Sequence, residues 1–380
     1  MATFKAVIGA NWGDEGKGRM VDYFASKAIG SCIVVCTNGG AQRAHTVVTD
    51  DGRSHIFHHF GSGTLAGADT YLPATFIVNP IIFMQEYKEL IGNHFVVYMN
   101  PNCLCSTPYD MITNQIIEEE RGDRKHGSCG MGIWETVLRN EATVGEMCKM
   151  TGEELRTYLC GVRDTYFANR IANKGIDGIP TRWSQIYYSE GLINHYISDF
   201  QEMMKHVILE DNDILRPYDN IIFENGQGLL LDQNIPNSQW STPSNTGSTN
   251  IREIVDELVG NDFVDLEICY VSRSYLTKHG AGDFPEECSG AWFVVNQLSE
   301  TNVWNKNQGE FRYGRLDINN LIKRTDKDYG DNWFGRHVNR SYAITHVDEF
   351  NINTTDIKLP KYYSYGPERN KIIWTNEESW

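Results

Sequence analysis

The stretch from residue 4 to residue 36 constrains the fold more than any other part of the chain. Residues 4–9, Phe-Lys-Ala-Val-Ile-Gly, form a short apolar run of strand type. A glycine-rich turn follows, Gly9-Ala-Asn-Trp-Gly-Asp-Glu-Gly-Lys-Gly-Arg19. From Gly18 to Ala28 the residues Val21, Phe24, Ala25 and Ala28 recur at i, i+3, i+4 and i+7, which is one face of a helix. A second apolar run, Ser-Cys-Ile-Val-Val-Cys over 31–36, closes the unit. Strand, Gly-rich turn, helix and strand together open a parallel sheet. The expected class is therefore α/β, a mostly parallel central sheet flanked by helices. Further strands are expected at 94–99, 219–224, 266–272 and 342–347, and helices around 109–120 and 248–259. No repeat, low-complexity tract or Pro/Gly/Ser-rich linker divides the sequence, so residues 1–380 read as a single domain with insertions.

In such sheets ligands gather at the carboxyl ends of the strands. After the first strand, Gly13, Gly16 and Gly18 let backbone N–H groups close around an anion, and the following helix points its positive end there. Lys17 supplies a point charge for the same phosphate. The loop departs from a strict Walker A motif: Asn11 stands where the first glycine belongs, and Arg19 replaces the Mg²⁺-holding Ser/Thr. That absence disfavours a P-loop GTPase switch. Asp14 and Glu15 are carboxylates beside a phosphate site, which is repulsive unless they bind Mg²⁺ or take a proton from a second substrate.

After the second strand comes Asn38-Gly-Gly-Ala-Gln-Arg-Ala-His-Thr46. Its His45 is open between a structural histidine and a general acid that stabilises a leaving phosphate. Residues 223–232 run from a strand into Gly226-Gln227-Gly228, where the Gln227 amide suits the edge of a nucleobase. The run Ser241-Thr-Pro-Ser-Asn-Thr-Gly-Ser-Thr249 is an N-cap cluster, a phosphate cradle, or both. Asp348, at the end of Thr345-His-Val-Asp, reads by itself as a solvated strand-end carboxylate.

Composition narrows the partners. With 34 Lys+Arg against 50 Asp+Glu the net charge is −16, which argues against a sequence-independent nucleic-acid binder. It leaves room for a small anionic ligand, because a pocket's field can oppose that of the surface. No apolar run approaches the length of a membrane helix, and the N-terminal residues lack the pattern of a signal peptide. Nine scattered cysteines without a CxxC pair read as reduced thiols, mostly small buried hydrophobes, in a cytoplasmic protein.

Taken together, these segments resemble the adenylosuccinate synthetase family over most of the chain, with Trp12-Gly-Asp-Glu-Gly-Lys-Gly18 as its signature loop. The resemblance implies the P-loop-like nucleotide-binding fold of that family, Mg²⁺ as cofactor, and a homodimer. It implies a ligase joining L-aspartate to the 6-oxo carbon of a purine monophosphate through a 6-phosphoryl intermediate. Asp14 would remove the N1 proton and also bind the metal, together with Ala44. His45, Lys17 and Gln227 would complete the catalytic set. The triphosphate would meet Gly13, Glu15, Gly16, Lys17, Gly18, Thr46, His346, Asp348, Ser364, Gly366 and Pro367. The monophosphate would meet Asn38, Ser128, Cys129, Arg139, Gln227 and Thr242, Arg139 reaching across to the partner subunit's nucleotide. Arg312 and Arg315 would hold the aspartate carboxylates, and Lys17, Arg43, Arg139 and Arg312 would concentrate at the phosphate site.

The departures from the family pattern are specific. Its Gly-Gly-His-Asn-Ala-Gly-His-Thr is here Gly39-Gly-Ala-Gln-Arg-Ala-His-Thr46, and its Thr-Thr-Gly-Arg-Gly is Ser128-Cys-Gly-Met-Gly132. The base clamp Thr-Lys-Leu-Asp reads Thr345-His-Val-Asp348. In the arginine-rich aspartate loop only Arg312 and Arg315 remain, and Gly309 replaces an arginine that in the family also reaches the ribose 2′-hydroxyl. Chemistry kept with recognition changed resembles the bacteriophage branch of the family, which joins aspartate to dGMP with ATP or dATP as donor. The alternatives are adenylosuccinate synthesis from IMP and GTP, and a nucleotide-binding regulator without activity.

Overall fold

The computed structural model describes residues 2–236, 238, 240–260, 262–293, 300 and 308–375. Its centre is a ten-stranded sheet whose spatial order is Ile208–Leu209, Val97–Met99, Asp69–Leu72, Cys32–Cys36, Asn220–Glu224, Thr3–Gly9, Asp265–Arg273, Asn339–Thr345, Lys361–Ser364 and Ile372–Thr375. Every neighbouring pair is parallel except the last, where Ile372–Thr375 returns antiparallel. Asn220–Glu224 is inserted between the two strands that open the chain, so their loops part above it.

The central strands read as continuous apolar runs because both faces are covered. Val7, Val34, Ile222 and Val271 pack beneath the helix Lys17–Lys27, whose Met20, Val21, Phe24 and Ala25 complete that layer. Ala6, Ile8, Val35, Phe223 and Ile268 face the other way, against Ile251, Ile254 and Val255 of helix Thr249–Val259 and Leu321 and Trp333 of helix Ile318–Trp333. A further core joins strands 69–105 to the helices Pro108–Glu120, Gly152–Gly161 and Glu190–Met203.

The expected strands at 4–9, 31–36, 219–224, 266–272 and 342–347 form within a few residues, as do the helices at 109–120 and 248–259. The expected strand at 94–99 is shorter, Val97–Met99, because residues 94–96 run in before pairing with Thr70 begins. Among the described residues no helix is long and apolar enough to cross a membrane. All nine cysteines are free, four of them buried.

Candidate functional site

The carboxyl ends of the central strands open into a cleft of about 270 Å³. Its lining comes from many separate stretches of the chain. The glycine loop supplies Trp12, Gly13, Asp14, Gly16, Lys17, Gly18 and Arg19, and the turn after the second strand supplies Gln42 to Thr46. Cys129, Gln227 and Leu231 close one side, and Arg273, His279, Glu300, Gln308, His346 and Pro367 the other.

The loop is braced from below by Glu15. Its Oε1 accepts from the backbone N–H of Asn11 at 3.0 Å and of Gly13 at 2.9 Å, and its Oε2 lies 2.6 Å from Lys17 Nζ. Glycine is required around it. A Cβ on Gly9 would sit 2.5 Å from Glu15 Oε2, and one on Gly228 2.3 Å from the Asn11 carbonyl. Asp14 is placed differently. Its φ of 60° turns the carboxylate out of the loop, where Oδ2 lies 3.5 Å from His279 Nε2, and Arg273 donates to its carbonyl at 2.6 Å.

His45, first residue of the strand His45–Val48, meets Glu224, last residue of Asn220–Glu224. His45 Nδ1 lies 2.6 Å from Glu224 Oε1, and the other carboxylate oxygen is 2.8 Å from Arg43 Nη2. Ser62 adds its backbone N–H at 3.0 Å and its hydroxyl. Burial pushes the imidazole down to about 4 against the opposing pull of Glu224. His45 is thus neutral at physiological pH. With Nδ1–H donating to the carboxylate, Nε2 is the nitrogen left for the cleft.

Cations dominate the lining: Lys17, Arg19, Arg43 and Arg273 stand against Asp14 and Glu300. Arg19 donates to Ser364 Oγ at 2.9 Å, and burial lowers its guanidinium to about 10. Burial beside Arg273 and Arg19 holds His346 well below the usual imidazole range, so it too is neutral.

Of the residues singled out from sequence, Gly13, Asp14, Gly16, Lys17, Gly18, Ala44, His45, Thr46, Cys129, Gln227, His346 and Pro367 line the cleft. Glu15, Asn38, Ser128, Thr242, Asp348, Ser364 and Gly366 do not. Asn38 is buried as a strut, accepting from Gly226 N at 2.7 Å and donating to Ser244 Oγ at 2.8 Å. Ser128 donates to Asn114 Oδ1 at 2.9 Å.

The expected cluster of phosphate-site cations needs correction at two members. Arg139 is wholly buried, its guanidinium bound to Asp110, the carbonyls of Cys105 and Glu141, and Tyr158 OH. It ties Asp110 to the segments around Cys105 and Glu141 and does not line the cleft. Arg312 forks onto Glu287 at 2.8 and 2.6 Å and donates to the carbonyls of Gly280 and Gly282. Arg315 lies over Trp292, 4.2 Å from the ring centroid. Sequence reasoning missed Glu224, Arg273, His279 and Glu300. The signal for the first two was available: a charged residue at the carboxyl end of a central strand.

The family model for adenylosuccinate synthetase matches residues 6–330. The adenylosuccinate synthetase of Synechococcus sp. (strain CC9902) is 30% identical over 306 residues, covering 77% of this chain and 65% of that protein. The chain therefore spans just under two thirds of that relative's length. Two solved structures share the fold. Fully ligated adenylosuccinate synthetase from Plasmodium falciparum superposes with a TM-score of 0.67 at 17% identity, covering 98% of this chain and 86% of that one. Cyanophage S-2L succinoaminodeoxyadenylate synthetase, bound to dGMP and to dATP as an energy donor, gives 0.63 at 13% identity, covering 99% and 96%.

Proposed function

The chain belongs to the adenylosuccinate synthetase family, and from that premise we propose that it is an NTP-dependent ligase. It joins L-aspartate to the 6-oxo position of a purine nucleoside 5′-monophosphate, with dGMP as the favoured acceptor and ATP or dATP as donor. The product is then N6-succino-2-amino-2′-deoxyadenylate. The observation that carries the reading is the meeting of Asp14, Lys17, His45 and Gln227 in one cleft at the carboxyl ends of the strands.

A purine 6-oxo group leaves poorly until it is phosphorylated. Asp14 takes the N1 proton, which places negative charge on O6, and Gln227 holds the base edge while O6 attacks the γ-phosphorus. The nucleoside diphosphate departs from the loop, where Lys17, one donor on Glu15, has others for phosphate oxygens. His45, oriented by Glu224, assists the transfer. The deprotonated aspartate amine then attacks C6 and inorganic phosphate leaves.

The residues fit Mg²⁺: the Asp14 carboxylate and the Ala44 backbone carbonyl are hard oxygen donors on the same cleft, and this ion commonly takes few protein ligands beside phosphates and water. When bound, it would neutralise charge on the phosphates.

Three features support dGMP and an adenine donor. Gly309 replaces the arginine that would favour a ribonucleotide, His346 replaces the lysine of the base clamp, and the cyanophage enzyme that shares the fold was solved with dGMP and dATP. Asp14 and the family's named relatives favour the second reading, IMP with GTP. The partners are small molecules and a second copy of the chain, in the cytoplasm of the host if the gene is phage-borne. The test is aspartate-dependent ADP or GDP release with each monophosphate in turn, followed by mass analysis of the product. Product from IMP alone overturns the dGMP assignment, and no aspartate-dependent turnover with any of them overturns the ligase.

A further inference from the structure

We propose that Arg43 is a positioning residue: it fixes the Glu224 carboxylate and, through it, keeps the His45 imidazole in the orientation that offers Nε2 to the cleft. The inference rests on the reading of His45 as the side chain that assists phosphoryl transfer.

Three segments converge on one carboxylate. Arg43 comes from the turn after Gly40, His45 from the start of the next strand, and Glu224 from the end of a central strand. Glu224 Oε1 receives His45 Nδ1 and the Ser62 hydroxyl, while Oε2 receives Arg43 Nη2 at 2.8 Å and the Ser62 amide at 3.0 Å. The side chains of Arg43 and Glu224 have no solvent exposure. The terminal torsion of a glutamate is soft and roughly two-fold, so its plane is set by what holds its oxygens. With Arg43 removed, Oε2 keeps only the Ser62 amide, and the plane that His45 reads is free to rotate.

Arg43 is itself wedged. A Cβ on Gly226 would lie 3.2 Å from its Cγ, so that glycine makes room for the stem. The guanidinium lies 5.7 Å from the centroid of Phe76. Among the described residues its Nε and Nη1 make no hydrogen bond. Burying a guanidinium with idle donors is unfavourable, so stability alone does not account for it. What it does accomplish is to pair Glu224 at 2.8 Å, the same Nη2 lying farther, 3.3 Å, from His45 Nδ1. In the family pattern set out above, alanine stands at this place.

The experiment uses the full chain as wild type, Arg43→Ala and Arg43→Lys, with Arg43→Met, which keeps the packing stem, should the alanine variant not fold. Histidine-selective ¹⁵N spectra, with His45 assigned by His45→Gln, report its tautomer without ligand or turnover. Wild type should show a single Nδ1–H tautomer. Arg43→Ala or Arg43→Met should show exchange between tautomers and a kcat at least about tenfold lower, with nucleotide KM little changed. Arg43→Lys should restore most of both. An unchanged His45 signal and kcat, with only a lower thermal midpoint, overturns the proposal. If no purine monophosphate is turned over by wild type while the tautomer still responds to Arg43, the ligase reading fails and the positioning role stands.

Discussion

Asp14 and Glu15 are neighbouring carboxylates with opposite fates. Glu15 is folded under the loop, saturated by two amides and Lys17, whereas Asp14 is turned outward by a left-handed backbone. Asp14→Asn should therefore abolish turnover, by at least about a thousandfold, while leaving monophosphate affinity measured without Mg²⁺ intact in a calorimetric titration. A regulator without activity would instead keep its function in that variant. His45 carries a pH signature. Its folded value near 4 lies below the ordinary 6.5, so between these values the unfolded chain binds more protons. Stability from the neutral imidazole is present in full above 6.5 and is lost as pH falls toward and through 4. Wild type should lose more stability on acidification over that window than His45→Gln, measured by denaturant midpoints at each pH. These side-chain assignments were partly legible. Asp14, Lys17, His45 and Gln227 were marked by glycine-rich turns after strands, but the difference between Asp14 and Glu15 depends on a backbone φ that adjacent residues do not declare.

At the scale of elements, the strands that were legible carry a buried apolar run, Ile221 to Phe223 in Asn220–Glu224 and Ile268 to Val271 in Asp265–Arg273. Ile208–Leu209 and Lys361–Ser364 were not, since a few residues carry no periodicity and owe their conformation to a neighbour's free edge. The glycine loop depends on a second glycine turn pressed against it. Gly228→Ala would drive a Cβ to 2.3 Å from the Asn11 carbonyl and 2.6 Å from Glu15 Oε1. The expected result is a loss of about 1–3 kcal/mol in stability together with loss of triphosphate binding. Unchanged nucleotide affinity in a folded Gly228→Ala protein would mean that the brace beneath the loop is dispensable.

Across the whole molecule, charge is sorted by location. The chain carries −16, yet Lys17, Arg19 and Arg273 line the cleft, with Lys17 and Arg273 each also held by a carboxylate, Glu15 and Glu300. Anionic ligands should enter this cleft selectively: dGMP or ATP at 100 times its dissociation constant should add about 2.7 kcal/mol of apparent stability in a thermal shift series. A second expectation concerns assembly. Helix Ile133–Arg139 leaves Trp134 47% and Leu138 45% exposed, one turn apart on the same face. If that face is the contact between copies, Trp134→Glu should shift sedimentation from dimer to monomer without unfolding the chain.

Sequence alone was enough for the class of fold, the place of the glycine loop and the family, because periodicity and glycine spacing are local properties. It did not decide which charged residues meet a ligand. Arg139 and Arg312 looked like phosphate-site cations and are instead saturated by Asp110 and Glu287, whereas Glu224 and Arg273 became site residues because parallel strands end side by side. A charge's partner is chosen by distance in space. Only the tertiary structure brings together side chains that lie as far apart in sequence as His45 and Glu224.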